Sequence, residues 1–292
     1  MNFEYKETID KQRELVSLQK KVVSKSLVSA LKVFLYIMCL AIVTGGFFGL
    51  GVIHGIIKSA PSVENISIVP SSYSTTVYDT NNKQIAKLIT SGSNRIKADL
   101  KDIPEHLRWA FIDTEDARFY EHNGIDIQGI GRAAFIALTT FNPSEGASTI
   151  TQQVLKNNVF TSWTEEASLT SSLKRKIQEQ YLAVQLEKVT KKDVILETYL
   201  NTINLGSNTL GVKAASLRYF NKDVSKITVS EAGVIAAITQ NPSLYNPITN
   251  PDENAKRRKK ILTNMKDAGH ITQEQYDEAM SDNVYARIKK VN

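Results

Sequence analysis

Between Val33 and Ile57 the chain reads VFLYIMCLAIVTGGFFGLGVIHGII, almost wholly apolar and without Asp, Glu, Lys or Arg, and Lys32 and Lys58 close it at either end. About 20 apolar residues in a helix cross a bilayer, so this run predicts a membrane anchor; the competing reading is a helix buried in a protein core. Ser59-Ala60-Pro61 is a poor cleavage site, so the anchor is expected to be retained. Its glycines at 45, 46, 49, 51 and 55 include two G-x-x-x-G spacings, which suit helix–helix packing but are also common in membrane helices generally. The pattern then changes twice. Residues 59–72 are polar with two prolines and read as a linker. Tyr73–Asp79 and Gln84–Ile89 alternate apolar and polar around Thr80-Asn81-Asn82, a β-hairpin pattern.

From Asp102 onward the period is helical. Pro104 suits the first turn of a helix running to about Tyr120. Asp126 caps a helix through Leu138, and Ser148 caps another. Ser162-Trp-Thr-Glu165 has the form of a capping box and opens a long helix with Leu169, Leu173, Ile177, Tyr181 and Val184 on one face. Further helices cover Asp193–Leu200 and Glu231–Thr239, the latter capped by Ser230. A basic helix starts at Asn250 or Asp252 and stops at Gly269, and a short one starts at Thr272 and Gln275. The expected organisation is a basic tail over 1–32, the anchor over 33–57, a linker and hairpin over 58–96, and a mainly α domain over 97–292.

Charge and composition narrow the picture. A chain of 292 residues with 42% hydrophobic content supports a sizeable core, and the net charge of +6 favours anionic partners. Seven Lys and Arg side chains lie in the first 32 residues. Such flanks stay cytoplasmic, which puts the large C-terminal part outside. The single cysteine, Cys39, excludes an intrachain disulfide and a cysteine zinc site.

Four stretches carry candidate chemistry. In Glu115-Asp-Ala-Arg-Phe-Tyr-Glu-His-Asn-Gly124, two adjacent carboxylates follow an apolar helical run. Glu115 falls near the register of Leu107, Phe111 and Ile112, where a carboxylate is costly unless paired or used, so it is a candidate general acid or base. Gly146-Ala-Ser-Thr-Ile-Thr-Gln-Gln-Val-Leu-Lys156 is a small-residue turn opening a helix, where free N–H groups suit anionic oxygens. Ser148, Thr149, Thr151, Gln152 and Gln153 add neutral donors there and Lys156 adds charge; an ordinary capped helix is the plainer reading. Arg175-Lys-Ile-Gln-Glu179 places Arg175 and Glu179 at i,i+4, a spacing equally suited to a solvated ion pair. Glu197, in Lys192-Asp-Val-Ile-Leu-Glu-Thr-Tyr-Leu-Asn201, sits among apolar residues and reads as a structural carboxylate.

In this order the four stretches resemble successive motifs of the peptidoglycan glycosyltransferases, glycosyltransferase family 51. Gly211-Val-Lys-Ala-Ala-Ser-Leu-Arg-Tyr-Phe220, Glu231-Ala-Gly-Val-Ile-Ala-Ala237 and Pro242-Ser-Leu-Tyr-Asn-Pro247 look similar too, and the resemblance covers about Tyr73 to Met280. It implies a mainly α, lysozyme-like fold that polymerises lipid II onto a growing lipid-linked glycan. The first motif's catalytic glutamate maps onto Glu115 and the third motif's onto Glu179. The residues holding the diphosphate map onto Lys156, Arg175 and Lys176, with Ser148, Thr149, Gln152, Gln153, Asp116 and Arg118 also assigned to the substrate site. Asp116 can orient Arg118, orient a metal or cap the helix end. Glu179 can orient the cations or support the departing phosphate. His122 is read as a structural hydrogen-bonding residue.

The resemblance requires no nucleotide or redox cofactor; a divalent cation, magnesium or manganese, at the diphosphate is compatible with it. The expected partners are lipid II, the lipid-linked glycan, the membrane and proteins of cell-wall synthesis, with no nucleic acid. Phe135 to Phe141 is either an apolar patch for the membrane or a core helix, and Lys256-Arg-Arg-Lys-Lys260 is either a headgroup contact or a solvated helix face. Two departures stand out: Asn157–Ser172 is longer than the usual link, and Asn221 stands where a glycine often follows Tyr-Phe. Ser171-Ser-Leu-Lys174 matches S-x-x-K but no K-T-G follows, so the chain as written is expected to polymerise glycan and not to cross-link peptides. A lysozyme-like hydrolase, a lytic transglycosylase and an inactive membrane-anchored scaffold are the competing functions.

Overall fold

The computed structural model describes residues 3–70, 74–81, 84–88, 94–140, 146–160 and 168–289. The chain divides into two compact units, Met1–Ser59 and Ala60–Asn292. The first is a single helix, α1, Phe3–Lys58, in which the basic tail and the apolar run are continuous. It is long and apolar enough to cross a membrane.

In the second unit β1, Thr75–Tyr78, pairs antiparallel with β2, Gln84–Leu88, with a register shift between Val77 and Tyr78. Tyr73 and Ile89 lie outside the described residues. The rest is mainly helical: α2 Glu105–Glu115, α3 Ile127–Thr140, α4 Ile150–Asn158, α5 Leu169–Val189, α6 Lys192–Thr202, α7 Val212–Phe220, α8 Val229–Ala237, α9 Pro251–Asp267 and α10 Gln273–Ser281. Two packing groups share one core. Helix α4 lies against α5 and α6, while α2 lies against α8 and α9. Phe111 of α2, Leu155 of α4, Leu182 of α5, Tyr199 of α6, Ile235 of α8 and Leu262 of α9 are all buried in it.

Several local expectations are corrected, each for a physical reason. Helix α2 stops at Glu115 rather than near Tyr120, because Asp116 leaves helical geometry at φ −161°, ψ 67° after its N–H makes the last bond, 2.8 Å to Ile112 O. Burial of Phe119 in the core then draws the chain off the helix axis. Thr149 caps α4, its hydroxyl accepting from Gln152 N at 3.2 Å, and Ser148 stands one residue too early to do so. Thr228 caps α8 in a full capping box: its hydroxyl accepts from Glu231 N, and Glu231 accepts from Thr228 N at 3.0 Å. Ser230 is already inside that helix, and a cap of this kind contributes about 1 kcal/mol.

The expected capping box Ser162–Glu165 lies outside the described residues, and the described part of α5 is capped by Ser168. The apolar stripe drawn from Leu169 and Leu173 is not the buried one. Those two are exposed, and α5 buries Gln178, Glu179, Leu182, Ala183 and Leu186 instead. Helix α7 ends in Asn221 at φ 53°, ψ 39°. This left-handed position is where glycine usually stands, and asparagine tolerates it because its short polar side chain bonds locally.

Candidate active site

The C-terminal end of α2, the start of α4, one face of α5, the end of α8 and a face of α9 enclose a cleft of about 930 Å³. Its walls include every side chain nominated from the sequence: Glu115, Asp116, Arg118, Ser148, Thr149, Gln152, Gln153, Lys156, Arg175, Lys176 and Glu179.

Asp116 and Arg118 prepare this floor and do not bond each other. Arg118 pairs with Asp126, its Nε 3.2 Å and Nη2 2.5 Å from the two carboxylate oxygens, and Asp126 also caps α3 by accepting from Gly129 N at 3.0 Å. Burial pushes the Asp126 carboxyl up, but the Arg118 and Gly129 donors outweigh it and hold the group below the usual range. Asp116 is buried and caps a different helix from its own. Its Oδ2 accepts from Ile150 N, the first residue of α4, at 2.9 Å. His122 Nε2 sits 2.9 Å from Oδ1, and its Nδ1 lies 3.5 Å from Lys192 Nζ. Lys192 in turn pairs with Glu187 at 2.8 Å, and Thr151 of α4 donates to Glu187 at 2.5 Å. This network, with His122 as one of its links, ties the loop after Glu115 to α4, α5 and α6.

Gly124 brings that loop against α5. At φ 87° it occupies the region only glycine enters freely, and a Cβ there would stand 2.5 Å from the Ala183 carbonyl. Thr149 donates to Gly124 O at 2.8 Å, which seats the start of α4 on the same turn.

Glu179 is fully buried, yet it lines the cleft between two cations. One oxygen takes Arg175 Nη1 and the other lies 3.3 Å from Lys176 Nζ, which also donates to Ser148 Oγ at 2.6 Å. Burial of the carboxylate sets this arrangement apart from the solvated pair that i,i+4 spacing alone suggests. With Lys156 one turn along α4 from Gln152, the α4–α5 wall presents a row of positive charge.

Glu115 faces this wall from the end of α2. Gln153 Nε2 donates to its Oε2 at 3.0 Å, and Thr239 Oγ1 donates to its Oε1 at 2.5 Å. Arg257 Nη2 stands 3.9 Å from the same Oε1. Beneath them Tyr199 is fully buried. Burial, and then the charges of Glu115 and Asp116, push its phenol well above the ordinary range, so it stays neutral.

A transglycosylase family model matches residues 81–266. The chain belongs to the transglycosylase family, the peptidoglycan glycosyltransferases. It is 39% identical over 274 residues to penicillin-binding protein 1A of Clostridium botulinum, covering 90% of this chain and 32% of that relative. It is 41% identical over 239 residues to penicillin-binding protein 1A/1B of Bacillus subtilis, covering 80% of this chain and 25% of that one. The crystal structure of penicillin-binding protein 1A from Haemophilus influenzae is 24% identical with a TM-score of 0.42, covering 74% of this chain and 21% of that chain. This transglycosylase chain thus spans about a third or less of the length of these relatives.

Sequence reasoning missed part of the cleft. Thr239, Gln240, Arg257, Lys260 and Asn264 line it from α9 and the turn after α8. The available signal was the basic run Lys256–Lys260, read as one positive face. Successive helical residues turn by about 100°, so such a run cannot share a face. Lys256 points outward to Glu253, Arg257 enters the cleft, and Arg258 is buried, donating to Ser230 Oγ at 2.8 Å. Helix α3 settles the other open choice in part. It buries only Gly129 and exposes Ile127, Phe135 and Leu138, so it is not a core helix; Phe141 lies outside the described residues.

Proposed function

We propose that this chain polymerises lipid II into β-1,4-linked glycan on a lysozyme-like domain, inverting the anomeric carbon and releasing undecaprenyl diphosphate. The observation that carries the reading is the pairing, in one cleft, of a carboxylate at a helix end with a wall of cations organised by a buried glutamate. In this reaction the acceptor sugar's 4-hydroxyl oxygen bonds to the anomeric carbon of the donor. The bond from that carbon to the diphosphate oxygen breaks, and the hydroxyl proton passes to Glu115 acting as general base. The leaving diphosphate gathers negative charge beside Lys156, Arg175 and Lys176. A fixed donor of this kind typically contributes 10²–10³-fold in rate. Glu179 orients Arg175 and Lys176, which its contacts support better than direct contact with phosphate. Ser148, Thr149, Gln152 and Gln153 offer neutral donors; Gln152 Nε2, at the cleft wall, is buried without a hydrogen-bond partner among the described residues.

A divalent cation, magnesium or manganese, is compatible with this site. Among the described residues no three His, Cys, Asp or Glu side chains converge as a metal cluster, so such an ion would draw its ligands chiefly from phosphate oxygens and water. The apolar run of α1 anchors the chain with its basic N-terminal flank in the cytoplasm and the domain outside. The exposed apolar face of α3 suits a substrate whose tail stays in lipid.

A glycan hydrolase has two carboxylates flanking the scissile bond and little use for cations at the leaving group. Here the second carboxylate, Glu179, is fully buried and engaged by Arg175 and Lys176, which favours transfer. The purified chain, incubated separately with lipid II and with finished glycan, decides between them. Long glycan from lipid II is expected; breakdown of finished glycan with no polymer made overturns the reading.

A further inference from the structure

The two oxygens of Glu115 are not equivalent. Oε1 receives the Thr239 hydroxyl at 2.5 Å and faces Arg257 Nη2 at 3.9 Å. Among the described residues, Oε2 receives only the Gln153 amide, at 3.0 Å. Arg257 is itself held in place. Its Nη1 donates to Gln240 Oε1 at 2.5 Å and its guanidinium lies over the Tyr245 ring at 5.2 Å. Its Nε is buried without a hydrogen-bond partner among the described residues. Thr239 is fixed too, since its hydroxyl lies 3.0 Å from Ala236 O at the end of α8. The groups facing Oε1 thus come from the turn after α8 and from α9, outside the four motif stretches.

We infer that Thr239 and Arg257 are positioning residues that clamp Glu115 through Oε1, so that the proton of the acceptor hydroxyl is taken at Oε2. This rests on the function proposed above. The short hydroxyl bond to Oε1 and the Arg257 charge facing it fix the carboxylate plane. They leave Oε2, which carries one neutral amide, as the oxygen able to turn a lone pair to the incoming hydroxyl. A carboxylate tied at one oxygen meets its substrate in a single orientation, and orientation of this kind acts on the chemical step rather than on binding.

The test is steady-state polymerisation of lipid II by the full chain, comparing wild type with Thr239→Val, Thr239→Ser, Arg257→Gln, Arg257→Lys and the double variant Thr239→Val/Arg257→Gln. Thermal melts confirm that each is folded. Loss of the hydroxyl bond to the Glu115 carboxylate predicts that Thr239→Val lowers kcat between about tenfold and a hundredfold, with KM within about twofold; Arg257→Gln removes a facing charge at 3.9 Å and not a hydrogen bond, and lowers kcat by about two- to fivefold with KM likewise unchanged. Thr239→Ser and Arg257→Lys recover most of the rate. Because both residues act through one oxygen, the double variant loses little more than the worse single one. Variants with wild-type kcat, or Arg257→Gln with raised KM and unchanged kcat, overturn the clamp while leaving the polymerase intact; the second outcome makes Arg257 a substrate contact. A wild type that makes no glycan overturns the functional reading and the clamp together.

Discussion

Asp116→Asn perturbs the buried link beneath the cleft while changing almost no volume. The side chain is 1% exposed, with Oδ2 accepting from Ile150 N at 2.9 Å and Oδ1 at 2.9 Å from His122 Nε2. Asparagine keeps one acceptor oxygen and replaces the other with an NH₂ group that faces a donor. Either the first N–H of α4 or the His122 ring then loses its partner. The loss of a hydrogen bond to a charged group, with one donor left buried and unsatisfied, costs about 2–3 kcal/mol. For a domain of this size each kcal/mol moves Tm by about 2–4 °C, so the melt should fall by about 4–12 °C. Activity should fall in parallel at temperatures well below the melt, because α4 carries Gln153 against Glu115 and carries Lys156. Circular-dichroism melts in detergent and lipid II turnover measure the two effects. A Tm within 1 °C of wild type together with full turnover would refute the role assigned to Asp116.

Two further outcomes follow from the same structure. Bonding to Arg287, at 2.6 and 2.7 Å, holds the Asp282 carboxyl at about 2, below its ordinary value of 3.8. A depressed folded-state value stabilises the fold above the unfolded value and loses that effect as pH falls toward 2. The contribution is about 1 kcal/mol after discounting for the partly exposed Arg287, and Asp282→Asn should flatten the fall in Tm between pH 4 and pH 2. An identical acid limb in the variant contradicts this. Phe135→Ser combined with Leu138→Ser, both on the exposed face of α3, should raise KM for lipid II several-fold in vesicles and leave it unchanged in detergent. Equal effects in both media would show that the face does not meet lipid.

The helical domain was legible in the sequence because caps and periodicity are local. Asn250 and Pro251 open α9, Gly269 at φ 80° follows it, and Thr272 with Gln275 forms the capping box of α10. Local signals erred where a tertiary contact overrode them. Phe119 buries itself in the core and ends α2 early, and α5 turns Gln178 and Glu179 inward while leaving Leu169 and Leu173 outside. The four motif stretches were legible as chemistry because each concentrates its polar residues within ten positions or so of sequence. Thr239 and Arg257 were not, since they meet Glu115 only because α2 packs on α8 and α9. No spacing along the chain encodes that contact. Glu179 was legible as an ion pair, but its burial, which decides whether the pair is a surface ornament or part of the cleft, is a property of packing.

The most direct measurement is single-turnover glycan formation from lipid II by wild type and Glu115→Gln, with melts run alongside. Glutamine keeps the shape of the side chain and the bond from Thr239 but cannot take a proton, so polymerisation should fall at least a hundredfold, as expected when a general base is removed, while Tm stays within a few degrees. Glycan formation at the wild-type rate by a folded Glu115→Gln protein would contradict Glu115 as the base.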